Sequence, residues 1–167
     1  MISSQPCGWE KFAKKLLKLD HEDISFHLIS GSGISLQAEQ VMDAHGRSVK
    51  LYADVRKILD HCDQQNCEMA LASRTEQPAW ANELTELLGI AHRFRYSEIY
   101  PSSKVAHFSA LQKASSLKYQ QMLFFDDEIR NITEVSSLGV CCIHVTRGLN
   151  QHIFKQALQQ FQVSSCR

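Results

Sequence analysis

The chain has no net charge. Across 167 residues, 18 basic side chains are matched by 18 acidic ones, so no basic stripe marks a nucleic-acid or membrane-surface partner and any anion must be recognised locally. No apolar run approaches the roughly 20 residues that cross a bilayer, and the N-terminus lacks a basic-then-apolar order. A soluble, cytoplasmic chain without membrane contact is therefore expected. There is no Cys-x-x-Cys pair among Cys7, Cys62, Cys67, Cys141, Cys142 and Cys166. Cys141 and Cys142 lie in an apolar run, so the cysteines read as reduced packing thiols in place of zinc ligands or disulfides. Repeats and low-complexity tracts are absent too, and the "SGSG" at 30–33 is the one flexible-looking cluster.

What is present suffices for one domain with a sizeable core, since 44% of the residues are hydrophobic. From Leu51 onward helical and strand-like patterns alternate with short connections, while residues 1–50 are less regular. The reading is a divergent N-terminal segment over 1–40 and a domain over 41–163. Val55, Ile58, Leu59 and Cys62 fall at helical spacing, as do Trp80, Leu84, Leu87 and Leu88 before Gly89, and Val105, Phe108 and Leu111. "CEMALAS", "QMLFF" and "VCCIHV" are strand-like. "EIRNITEVSSLG" and "LNQHIFKQALQQF" are helical. Such alternation predicts a Rossmann-like α/β domain, a parallel sheet with helices on both faces, with little or no cap. Ligands of such sheets bind beyond the carboxyl ends of the strands.

Three signals stand at those ends. Asp126 and Asp127 follow "MLFF" side by side. Adjacent carboxylates at the mouth of a buried strand repel, so they need a cation or several hydrogen-bond donors, and magnesium suits oxygen ligands of this kind. The competing reading is that Asp127 caps the next helix while Asp126 faces solvent. In "LASRTEQP", Ser73 ends a strand, Thr75 is a candidate helix cap and Pro78 fits the first turn, giving an anion free N–H groups and a hydroxyl, or merely a capping turn. In "YPSSKVAHF", Ser102 as N-cap puts Lys104 in the first helical turn, where its charge opposes the helix dipole unless an anion or the acidic pair draws it. Together the three sets of groups suit the holding of a phosphoryl group.

Residues 51–161 resemble the magnesium-dependent phosphatase (acid phosphatase-like) family of the haloacid dehalogenase superfamily. The resemblance is carried by "LYADV", "ALASRTE", "EIYPSSKVAHF", "MLFFDDEIRNI" and "LGVCCIHV". It implies Ser73 as a hydrogen-bond donor to the transferring phosphoryl group and Lys104 as phosphate ligand and orienter of the nucleophile. It implies Asp126 and Asp127 as ligands of Mg2+, with Arg74 and Asn131 lining the same mouth. The implied substrate is a phosphomonoester, of a small molecule such as a phosphosugar or of a phosphotyrosine-like protein side chain.

The family's first strand ends in Asp-x-Asp, whose first carboxylate attacks phosphorus, and covalent catalysis of this kind needs that group. The aspartates before Leu51 are Asp20, Asp23 and Asp43, and none makes such a pair. Asp20 and Asp23 follow Phe12, Leu16, Leu17 and Leu19, a spacing that suggests a helix. Residues 24–29, "ISFHLI", are the better candidate for the first strand, with Ser30 and Ser32 where the two aspartates would stand. A serine there lacks an activating base, His27 being on the wrong strand face or too distant. The expectation is a phosphatase-family domain with absent or reduced activity. A non-catalytic phosphate- and magnesium-binding module, an alternative N-terminal isoform of an active phosphatase, and a chain that folds poorly for want of its central strand are the other readings. The histidines show no metal-ligand pattern, although His107, one turn after Lys104, is close enough to approach the mouth.

Overall fold

The computed structural model describes residues 11–14, 35–37, 40–42 and 49–165. Five parallel strands make the main sheet: β1 (Lys11–Lys14), β4 (Glu68–Ser73), β5 (Phe94–Ile99), β6 (Met122–Asp126) and β7 (Cys141–His144), in the order β5-β4-β1-β6-β7. A separate antiparallel hairpin joins β2 (Ser35–Gln37) to β3 (Gln40–Met42).

Each main strand after β1 is preceded by a helix or helical turn that covers the sheet. α1 (Val55–Gln64) buries Val55, Ile58, Leu59 and Cys62, the stripe its spacing predicts. α2 (Pro78–Leu87) starts on its proline and stops before Gly89, whose φ of +66° is open to glycine at little cost. These helices and α5 (Gln151–Ser165) share one core with Met69, Leu123 and Phe125 of the sheet. α3 (Lys104–Ser115) and α4 (Ile129–Ser136) close the other face over Ala70, Ala72, Met122 and Phe124. The sheet is thus sandwiched between two apolar layers, as the alternating pattern predicts, and β6 is buried at all five positions.

The centre of the sheet differs from the sequence reading. It is occupied by Lys11–Lys14, which pairs with β4 on one side and β6 on the other, Lys14 standing opposite Leu71 and Phe125. Residues 24–29, the expected first strand, lie outside the described residues, as do Ser30, Ser32, Asp20 and Asp23. Phe12 belongs to a strand and not to the helix suggested by its spacing with Leu16 and Leu19. The physical reason is that β4 and β6 both present an inner row of N–H and C=O groups, and any short extended segment that pairs with both satisfies them, whatever its helical propensity.

The strand order sets the position of a site. From β1 the chain passes to β4 and β5 on one side and later to β6 and β7 on the other, so the order reverses at β1. The crevice beyond the carboxyl ends of β4, β1 and β6 is the topological switch point where open α/β sheets take their ligands.

Candidate active site

Ser73 and Asp126 are the last residues of β4 and β6, the two strands flanking β1. A third group reaches between them from above. α3 buries Lys104, His107, Phe108 and Leu111, spaced i, i+3, i+4 and i+7, the contact face of a helix. The sequence reading took Val105 as part of this face, but Val105 is exposed and Lys104 is turned inward. The cap is also one residue later than expected: Ser103, not Ser102, accepts the Ala106 N–H at 3.2 Å, so Lys104 is the first helical residue.

The buried Lys104 ammonium donates to the Ala72 carbonyl of β4, stands 3.6 Å from Asp126 Oδ2 on β6, and lies 5.7 Å from the centre of the Phe124 ring. Lys104 and Asp126 are 1% and 0% exposed at their side chains, and burial of either ion alone costs several kcal/mol after relaxation. Each therefore supplies the countercharge that lets the other be there. The lysine that looks misplaced at a helix N-terminus is drawn inward by one member of the acidic pair.

Asp126 is held rigidly. Its Oδ1 accepts the Glu128 N–H at 2.8 Å and the Asn131 side-chain N–H at 3.0 Å, while Oδ2 has no hydrogen-bond partner among the described residues. Asn131 is wholly buried, so it stands behind Asp126 and does not line the mouth itself. Asp127 is half-buried, and its carbonyl accepts the His144 Nε2–H at 3.0 Å, tying the turn after β6 to the end of β7. The alternative of a cap at Asp127 is not what forms, because α4 starts after Glu128 without a side-chain cap.

On the β4 side, Ser73 Oγ accepts a long 3.4 Å hydrogen bond from the Thr75 N–H, and Thr75 Oγ1 accepts from the Gln77 N–H at 3.1 Å. Thr75 therefore shapes the turn but does not cap α2, whose N-cap position is Gln77. Arg74 reaches across to Glu128, Nη2 to Oε2, at 2.5 Å. Glu128 had no place in the sequence reading; the third acid of "DDE" was its signal.

His107 is fully buried. Its Nε2 pairs with the Tyr100 carbonyl at 3.0 Å and its ring meets the Tyr100 ring edge-on at 4.4 Å. Burial is the main cause that pulls its pKa down, so it supports the loop leading to Lys104 as a neutral ring instead of entering the mouth. Burial, with Cys141 and Asp126 nearby, pushes the Cys142 thiol up to about 12. Such a thiol is inert.

The oxygen donors fit a hard cation. Among the described residues Asp126 Oδ2 is buried without a hydrogen-bond donor, and Asp127 is the next residue in the chain. Magnesium commonly takes one or two carboxylates and leaves the remaining positions to water and phosphate. The strand between Ser73 and Asp126 adds no acid, since Lys11–Lys14 contains no carboxylate.

Comparison with known proteins places the chain in a family. The acid phosphatase family model matches residues 24–164, and β1 lies upstream of that stretch. The human protein named magnesium-dependent phosphatase 1 is 40% identical over 141 residues, covering 84% of this chain and 76% of its own length. A haloacid dehalogenase-like hydrolase superfamily protein of Schizosaccharomyces pombe is 33% identical over 109 residues, 60% of this chain, and the chain spans 63% of that relative's length. Among solved structures, a haloacid dehalogenase-superfamily hydrolase from Ehrlichia chaffeensis superposes over 95% of this chain and 98% of its own, with a TM-score of 0.58 at 12% identity. A haloacid dehalogenase-like hydrolase from Xanthomonas campestris gives a TM-score of 0.61 at 13% identity over 71% of this chain and 54% of its own. At these identities the structures speak for the fold alone.

Proposed function

This chain belongs to the acid phosphatase family of the haloacid dehalogenase superfamily, and from that premise we propose that it binds a phosphomonoester with magnesium without turning it over. One observation carries the reading. Lys104 and Asp126 are buried together beside Ser73 at the switch point, while the strand that fills the centre of the sheet ends on Lys14. The phosphate half of a phosphatase site is present, and the central strand brings no nucleophile.

The roles follow from the chemistry of each group. The Ser73 hydroxyl, which accepts a long bond from Thr75 among the described residues, is available to donate to a phosphoryl oxygen. Lys104 supplies a positive charge from a dry position, where it is worth more than in water. Arg74 adds a forked donor suited to phosphate oxygens. Asp126 and Asp127 would hold magnesium, which when bound neutralises phosphoryl charge and orients the oxygens. Asn131 and the Glu128 N–H fix the Asp126 carboxylate in place. The ligand class is a phosphorylated small molecule or a phosphorylated protein side chain.

Hydrolysis through a covalent intermediate needs a carboxylate or other activated nucleophile within reach of phosphorus. Lys11–Lys14 provides none, and the chain has no Asp-x-Asp at any position. Binding without turnover is the outcome these facts support. It is tested by thermal unfolding with inorganic phosphate and magnesium. A ligand at a hundredfold excess over its dissociation constant stabilises by about 2.7 kcal/mol, and Lys104→Met should lose that stabilisation. A phosphate-dependent shift that survives Lys104→Met would place the anion elsewhere.

A further inference from the structure

Arg74 and Glu128 follow the ends of β4 and β6, and β1 runs between those strands. With neighbouring strands about 4.8 Å apart, β4 and β6 are separated by about 10 Å. The 2.5 Å contact between Arg74 Nη2 and Glu128 Oε2 therefore bridges the mouth over the end of the central strand. Its two side chains are 24% and 44% exposed, whereas Lys104 and Asp126 are 1% and 0% exposed. The ion pair is thus the outer layer of the site and the Lys104–Asp126 pair the inner one.

The layers are coupled through one residue. The Glu128 backbone N–H donates to Asp126 Oδ1 while its side chain holds Arg74. A second arginine, Arg130, stands 3.9 Å from the same Oε2 and also 3.9 Å from Glu134, so it is a looser neighbour. An anion that reaches Ser73 and Lys104 meets Arg74 on the way, and Arg74 already has a carboxylate.

We infer that Glu128 is a specificity-determining residue: by occupying Arg74 it sets a threshold that a dianionic phosphoryl group passes and a monoanionic carboxylate does not. The inference rests on the phosphate-binding reading above. A carboxylate offers the guanidinium one negative charge, while a phosphoryl dianion brings nearly two charges and three acceptor oxygens. Exchange of partners is favourable for the dianion and close to neutral for a carboxylate. Glu128 also repels any anion in the mouth, so its charge weakens binding overall while improving selectivity.

The test is calorimetric titration of the full chain with inorganic phosphate at pH 8, with magnesium present, and separately with acetate. Glu128→Gln should tighten phosphate by about fivefold, the equivalent of one exposed ion pair, and should bring acetate binding into the measurable range. Arg74→Gln should weaken phosphate, and adding Glu128→Gln to it should recover much less than the single change gains. If the pair only braces the fold, both single variants will melt lower with phosphate affinity unchanged, and the inference is overturned. Should Glu128→Gln fold poorly, Glu128→Asp, whose shorter carboxylate reaches Arg74 less well, must shift phosphate affinity in the same direction. If neither wild type nor any Glu128 variant binds phosphate, the phosphate reading itself fails and this inference falls with it. Binding by wild type that is indifferent to Glu128 removes the inference alone.

Discussion

Asp126 carries two obligations, one structural and one chemical. It is the countercharge of a buried lysine, and its Oδ2 is the carboxylate oxygen that the donor set leaves for a cation. Asp126→Asn keeps the acceptor that serves Glu128 and Asn131 but removes the carboxylate charge opposite Lys104. Breaking a buried pair in this way costs about 3–5 kcal/mol. Urea unfolding should show that loss in Asp126→Asn and a much smaller one in Asp126→Asn with Lys104→Met, where both charges are gone; equal losses would mean that the two residues are not a pair. His107 gives a residue-scale pH dependence. Its pKa in the fold is pulled below the ordinary value of 6.5, chiefly by burial, so below that pH the unfolded chain binds the proton first and stability falls. Above about pH 6.5 its contribution is complete. Stability measured between pH 8 and pH 5 should decline through this window, and His107→Gln should remove part of the slope.

Elements differ in how plainly the sequence declares them. The buried stripe of α1 was legible from spacing because all four of its positions are apolar. The buried stripe of α3 was not, because two of its four positions are Lys104 and His107, and a pattern search for apolar residues passes over a lysine that is turned inward. Asp126 was legible because two acids after four buried apolar residues conflict with burial unless something balances them. Glu128 and Arg74 were hidden as a pair, since they are 54 residues apart in the chain and meet only when β4 and β6 flank a common strand. The central strand was the largest difference. Its four residues have little strand character, and pairing on both sides overrides that preference. Pairing rather than side-chain identity is the claim at this scale, so Ala13→Pro, opposite Ala70 and Phe124, should turn a sharp melt into a broad one by removing a ladder donor from the middle of the sheet. An unchanged melt would mean that Lys11–Lys14 does not hold the centre in solution.

At the scale of the molecule, two apolar layers fix the sheet, the sheet order fixes a crevice, and the crevice gathers Ser73, Lys104 and Asp126 from segments far apart in the chain. Nothing in that arrangement needs a nucleophile in order to fold. A family member can therefore retain a phosphate site on an intact scaffold while the chemical step is lost, because function is carried by a few side chains grafted on the fold. Among the described residues no helix is long and apolar enough to cross a membrane. The central claim is that this chain binds phosphate without turning over its esters. The most direct measurement is magnesium-dependent phosphate release from a generic aryl phosphate by the purified chain, at a protein concentration where phosphate binding has been demonstrated. The account predicts release no faster than in an Asp126→Asn control. Steady turnover that requires magnesium and disappears in Asp126→Asn would contradict it, and would mean that a nucleophile outside Lys11–Lys14 reaches the phosphorus.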